Sequence, residues 1–175
     1  MACRSKSHRH SVTVAPITLA SGATVTVNAD GSLTYTPLAT FKGTDSFTYR
    51  ACENIPAPFL CSNLATVTLK VNAPPIAAND SFTGQRNKTL SIGKPGVLGN
   101  DTDPNGDALI AVLVSGPVNA SNVTTGTLNL RSDGSFSYNP PKTFVGTVTF
   151  TYKACEATTT EKLCSNTVTV TIVIK

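Results

Sequence analysis

The chain has 175 residues and a net charge of +4, with 14% of its residues charged. Trp is absent, and Thr is the commonest residue, with Val, Ser, Asn and Gly also abundant, a mixture that suits pleated sheet joined by tight turns. The charge forms no basic stripe that would argue for nucleic acid or an anionic membrane, and the apolar runs are strand-sized, too short to span a bilayer.

In chain order, Met1 to His10 is basic and polar with no apolar core, so it reads as a leader, expected to be disordered, and not as a secretory signal. Beyond it the chain repeats itself. Residues 23–72 align with residues 126–175 at a constant offset of 103, and 23 of those 50 positions are identical. A period near one hundred residues means tandem domains rather than a solenoid of short units. The frame places a second repeat at 74–175 and a first at 11–73. Counted back by the same offset, the first repeat would open about thirty residues before Met1, so it is expected to be truncated at its N-terminus.

Period-two alternation marks the strands, as in Thr24-Val25-Thr26-Val27, Phe47-Thr48-Tyr49 and Thr66 to Val71. For the second repeat the pattern predicts seven strands, near 77–83, 88–92, 108–114, 126–131, 134–138, 147–154 and 165–174. Asp30-Gly31 and Asp133-Gly134 separate alternating runs in both copies and predict hairpin turns. Seven short strands in about one hundred residues predict an all-β chain of two tandem Greek-key β-sandwiches of the Ig-like or cadherin-like kind. Tyr35, Tyr49, Tyr138 and Tyr152 recur in register and are expected in the cores.

The cysteines recur too. Cys52 and Cys61 are nine apart, as are Cys155 and Cys164, and each pair brackets the connection between the sixth and seventh strands. The bracketed loops differ almost completely while the cysteines stay in register, which predicts a disulfide in each repeat and an oxidising, extracellular setting. Zinc is the competing reading, but the only histidines, His8 and His10, lie in the leader. Cys3 is left over.

Pro74-Pro75-Ile76-Ala77-Ala78-Asn79-Asp80, Gly96 to Leu109 with its Asp-Thr-Asp-Pro-Asn-Gly-Asp core, Asp133-Gly134-Ser135-Phe136-Ser137-Tyr138-Asn139-Pro140 and Phe150-Thr151-Tyr152 together resemble the bacterial Ig-like and cadherin-like tandem repeats of large secreted and surface proteins. The resemblance covers the second repeat end to end and the later two-thirds of the first. It implies extension modules, in arrays that calcium often stiffens. Most such repeats lack the cysteine pair, and the first repeat here lacks the aspartate-rich segment, so calcium carries over only to the second.

Asp80, Asp101, Asp103 and Asp107 are four of the ten acidic residues and cluster in one stretch. With Asn105 they offer oxygen side chains at alternate positions around Gly106, the hard ligands that calcium prefers. The same residues are also the vocabulary of an Asx turn without metal. A simple count of strand directions puts Asp45 of the first repeat near the junction with Asp80, as a further calcium candidate. Five N-x-[ST] sequons occur, at Asn79, Asn87, Asn100, Asn119 and Asn122.

No histidine lies inside either repeat, and no nucleophile elbow or glycine-rich phosphate loop occurs, so the chain is not expected to be an enzyme. Two functions remain. One is a structural or adhesive spacer in a larger surface or secreted protein, its neighbours being further repeats and its junction stiffened by calcium. The other is a module that binds glycan or a surface protein through the disulfide-bracketed loops 53–60 and 156–163, the first of which is unexpectedly apolar, with Phe59 and Leu60.

Overall fold

The computed structural model describes residues 10–11, 17–28, 30–53, 60–157 and 162–175. The chain divides into two compact units, Met1–Asn72 and Ala73–Lys175. Apart from one 3-10 turn at Gly96–Leu98, every regular element among the described residues is a β-strand.

The strands of the first unit are β1 (His10–Ser11), β2 (Ile17–Thr18), β3 (Thr24–Val27), β4 (Leu33–Thr36), β5 (Gly43–Tyr49), β6 (Cys52–Glu53) and β7 (Ala65–Val71). They form a three-stranded sheet β2-β3-β4 and the pairs β5-β7 and β1-β6. Leu19, Ala23, Val25, Val27 and Phe47 make its small core, with Tyr35, Val67 and Leu69 packed against it. His10, at the end of the segment expected to be a disordered leader, sits in a strand opposite Glu53. The rest of that segment, with Cys3, lies outside the described residues.

The second unit holds β8 (Asp80–Gly84), β9 (Leu90–Ile92), β10 (Leu109–Asn119), β11 (Thr127–Leu130), β12 (Phe136–Asn139), β13 (Gly146–Glu156) and β14 (Val168–Ile174). One sheet runs β10-β13-β14-β8 and the other β11-β12-β9. The chain changes sheet after β8, β9, β10 and β12, the crossing pattern of a Greek-key sandwich. All pairs are antiparallel except β8 with β14, which run parallel, with Phe82 opposite Ile172. Alternation explains the layering: in β14 the residues from Val168 to Ile174 alternate buried and half-buried.

Between the sheets lie Phe136, Tyr138, Val148, Phe150, Tyr152, Val170, Ile172 and Ile174, all fully or almost fully buried. Phe82, Phe136 and Phe150 stack edge to face, at centroid separations of 5.1 and 5.5 Å. Both Asp-Gly turns form as expected. Gly31 and Gly134 take positive φ, and their N–H groups donate to Asn28 and Arg131, which are register equivalents. β10 runs five residues past the predicted end at 114. Register shifts between Leu113 and Val118 let it bend and go on pairing with β13.

Candidate functional site

The aspartate-rich loop follows the 3-10 turn and is fastened to the start of the unit. Ile76 and Thr102 exchange backbone hydrogen bonds of 2.8 and 3.0 Å. Within the loop, Asp103 Oδ1 accepts the N–H of Asn105 at 2.7 Å and that of Asp107 at 3.1 Å, while Gly106 N–H returns to the Asp103 carbonyl. This is the Asx turn read from the sequence. It consumes only one of the two carboxylate oxygens. Asp103 Oδ2 is buried and has no hydrogen-bond partner.

That oxygen has company. Carboxylate oxygens of Asp103, Asp107 and Glu156 all lie within 4.8 Å of one another. Glu156 ends β13 and is fully buried; its Oε2 accepts the Leu163 N–H at 3.2 Å. The neighbouring disulfide holds that partner in place, since Cys155 and Cys164 face each other at a Cα separation of 4.0 Å, flanked by hydrogen bonds between Ser165 and Ala154 and between Glu156 and Leu163. Pairing of Glu156 with Leu109 brings the glutamate beside the acidic loop. At an effective dielectric of ~20, two ionised carboxylates at such a distance repel by roughly 3 kcal/mol, so these three are the residues that could hold a cation. Hard oxygen donors fit calcium.

The other expected ligands stand elsewhere. Asp80 and Asp101 meet at the Tyr152 hydroxyl, which lies 3.3 Å from Asp80 Oδ2, 2.8 Å from Asp101 Oδ2 and 2.5 Å from the Val97 carbonyl. Burial pushes the Asp80 carboxyl up to about 6, relieved in part by the Tyr152 hydroxyl and reinforced by the charge of Asp101. Burial raises Asp101 too, against the Ala78 N–H that its Oδ1 accepts. Asn105 turns away from the loop, its Oδ1 accepting the Ala73 N–H at 2.9 Å. Asp45 is 8% exposed and works inside the first unit, where its Oδ2 accepts from Ser21 at 2.5 Å and Tyr35 at 3.1 Å. Its burial follows the period of two, which sets it on the same face of β5 as Phe47.

The sequence reading placed Glu156 only in the ligand loop 156–163 and missed it as a metal ligand, because it sits 49 residues beyond Asp107 and only strand pairing closes the gap. The one signal was the recurrent Cys-Glu dipeptide at 52–53 and 155–156. Both disulfides form, Cys52 with Cys61 and Cys155 with Cys164, which removes zinc as a reading of these cysteines. Of the apolar ligand loop, Phe59 lies outside the described residues, as do 158–161 in the second loop, and Leu60 is 66% exposed. Four sequon asparagines have turn or bridging roles, Asn100 by donating its Nδ2–H to the Asn79 carbonyl. Asn79 accepts from Thr169, Asn87 from Thr143, and Asn119 from Ser121 and Val123.

Residues 72–175, well over half the chain, match the family model for the bacterial cadherin-like domain. The chain belongs to the bacterial cadherin-like domain family. Residues 5–57 match the model for a bacterial Ig domain. Cadherin-like and Ig-like domains of these families are typically extracellular or surface modules without enzymatic activity, and no described helix is long and apolar enough to cross a membrane.

Among solved structures, the chain is similar to mouse cadherin-23 EC22-24, with 14% identity and a TM-score of 0.45 over 95% of this chain and 53% of that one. It is similar to Drosophila N-cadherin EC1-4, with 12% identity and a TM-score of 0.39 over 97% and 42%. A nucleoside hydrolase-related hypothetical protein from Saccharophagus degradans aligns with 14% identity and a TM-score of 0.43 over 61% and 26%. The chain thus spans about a quarter to a half of the length of these structures. No curated protein matches it.

Proposed function

We propose that this chain is a spacer, a structural or adhesive module of a larger surface or secreted protein, and that calcium ties the acidic loop of its second unit to the end of β13. The two repeats, 11–73 and 74–175, would be links in that array, their partners the neighbouring repeats. The observation that carries the cation is the buried, unserved Asp103 Oδ2 within 4.8 Å of Asp107 and Glu156 carboxylate oxygens. Calcium bound there would supply charge neutralisation and a cross-link between segments that the chain otherwise joins by backbone hydrogen bonds. Asp103, Asp107 and Glu156 are the residues that would hold it.

Two of them are pre-positioned. The Asx turn aims Asp103, the β10–β13 pairing delivers Glu156, and the disulfide loop fixes Glu156 through Leu163. Asp80 and Asp101 bind a phenol hydrogen instead and are assigned a packing role at Tyr152. A stalk domain needs a fold that resists opening at its ends, and this arrangement closes the end that carries the loop. Extracellular calcium modules bind with Kd ~10⁻⁴ to 10⁻³ M. Calorimetric titration of the whole chain with calcium should give one site in that range, weakened at least about tenfold in Glu156→Gln and in Asp103→Asn. Wild-type protein that takes up no calcium at millimolar concentrations ends the cation reading.

A further inference from the structure

Asp80 opens β8 and Glu156 closes β13 at the acidic end of the second unit; at the other end, Gly84 closes β8 and Gly146 opens β13. There the turn from β8 to β9 meets the loop from β12 to β13. Asn87 Oδ1 accepts the Thr143 N–H at 3.0 Å, and both residues have positive φ, 59° and 65°. Thr143 is the only β-branched residue in that region among the described residues. Its register equivalent in the first unit, Thr40, does not take that conformation. Backbone strain of this kind collects where a loop is held in place to clamp a ligand.

Between the two loops lies an open pocket of ≈ 600 Å³, lined by Asn87, Asn139, Pro140, Pro141, Lys142 and Thr143. Its polar groups have one sense. The amide oxygens are engaged, that of Asn87 by the Thr143 N–H and that of Asn139 by the Thr89 hydroxyl at 3.4 Å, and the Thr143 hydroxyl donates to the Lys142 carbonyl at 2.6 Å. What the pocket offers a ligand is donors, the Nδ2–H groups of the two asparagines and the Lys142 ammonium. Arg86 and Lys88 flank Asn87, and no acidic residue occurs in 84–92 or 136–147. The first unit has Thr36, Leu38 and Ala39 where the second has Asn139, Pro141 and Lys142, so this donor set is particular to the second repeat.

We propose that this pocket binds an anionic saccharide, whose carboxylate or sulfate meets Lys142 and the two asparagine amides. A lining of donors in a basic surround is satisfied by a ligand rich in acceptors and negatively charged, and the bonds to its acid group are charge-assisted. The size of the pocket argues for sugar rings rather than a bare inorganic anion, and Pro140 and Pro141 give their C–H faces an apolar surface to lie on. This site lies at the far end of the unit from Asp103, Asp107 and Glu156, so it and the cation reading stand or fall separately. It would give an adhesive module something to adhere to.

The test is an NMR titration of the whole chain, following backbone amides, with tetragalacturonate, a sulfated tetrasaccharide, neutral cellotetraose and inorganic sulfate. Saturable shifts at residues 86–88 and 142–144 are expected with one or both acidic sugars, and which of them binds tells carboxylate from sulfate. Cellotetraose and inorganic sulfate should bind at least about tenfold more weakly. Lys142→Ala should weaken the acidic sugar at least about tenfold, and Asn87→Gly, which suits the left-handed backbone, about threefold. Unchanged amide shifts elsewhere in the variants show that the fold is kept. No shifts with either acidic sugar overturn the proposal. So does equal binding of cellotetraose or of inorganic sulfate, or full affinity in Lys142→Ala.

Discussion

Tyr152 has one hydroxyl proton to give, and three oxygens lie within reach of it: those of Val97, Asp101 and Asp80. Burial pushes the Asp80 carboxyl up to about 6, and a phenol shared among two carboxylates and a carbonyl offsets only part of that. An ordinary aspartate titrates near 3.9 when the chain is unfolded, so folded protein binds this proton more tightly. The contribution to stability is therefore full below about pH 4 and is lost as pH rises through about 6. Asp80 is only half-buried, so solvent screening holds the effect to about 1 kcal/mol. Asp80→Asn should flatten the pH dependence of urea unfolding between pH 4 and 7 in calcium-free buffer; an unchanged slope would remove Asp80 from this account. At this scale the sequence showed the acids but not their division. Alternating oxygens from Asp101 to Asp107 looked like one ligand set, and folding sends Asp101 to a tyrosine, Asn105 to the Ala73 amide, and brings Glu156 in from another strand.

β13 is the element on which the second unit depends, pairing with β10 on one side and β14 on the other. Its last residues carry the disulfide and Glu156 together, so the covalent bridge and the acidic site are coupled. Opening the loop of about ten residues between Cys155 and Cys164 should cost about 2–3 kcal/mol of unfolding free energy, by the loop-closure entropy returned to the unfolded chain. The Cys155→Ser, Cys164→Ser double variant should show that loss in urea, together with weaker calcium binding as Leu163 ceases to hold Glu156. Full calcium affinity after reduction would uncouple the two. The strands of this unit were legible in the sequence, most clearly β12, β13 and β14, where buried residues recur at every second position. The late end of β10 was not, since a bulged strand breaks the period that reveals it. Nor was the parallel pairing of β8 with β14, which depends on where the two ends of the unit meet rather than on local pattern.

Over the whole molecule, the duplication seen in sequence is only partly matched in packing. The first unit's described core has five buried residues against eleven in the second, and its counterparts of the second core's aromatics are in part exposed. Burial scales with apolar area at roughly 25 cal/mol per Å², so the first unit should unfold first, giving two transitions in urea followed by residue-resolved NMR. A single concerted transition would contradict that order. The calcium reading makes its sharpest demand on the later transition. With 1 mM calcium and a Kd of ~10⁻⁴ to 10⁻³ M, binding should add about 0.4–1.4 kcal/mol, and for a domain of about one hundred residues each 1 kcal/mol raises Tm by roughly 4–8 °C. Differential scanning calorimetry of the intact chain, in calcium and in chelator, measures this directly. The account predicts that calcium raises the later transition in wild-type protein and leaves that of Glu156→Gln in place. A wild-type transition that calcium does not move would contradict it.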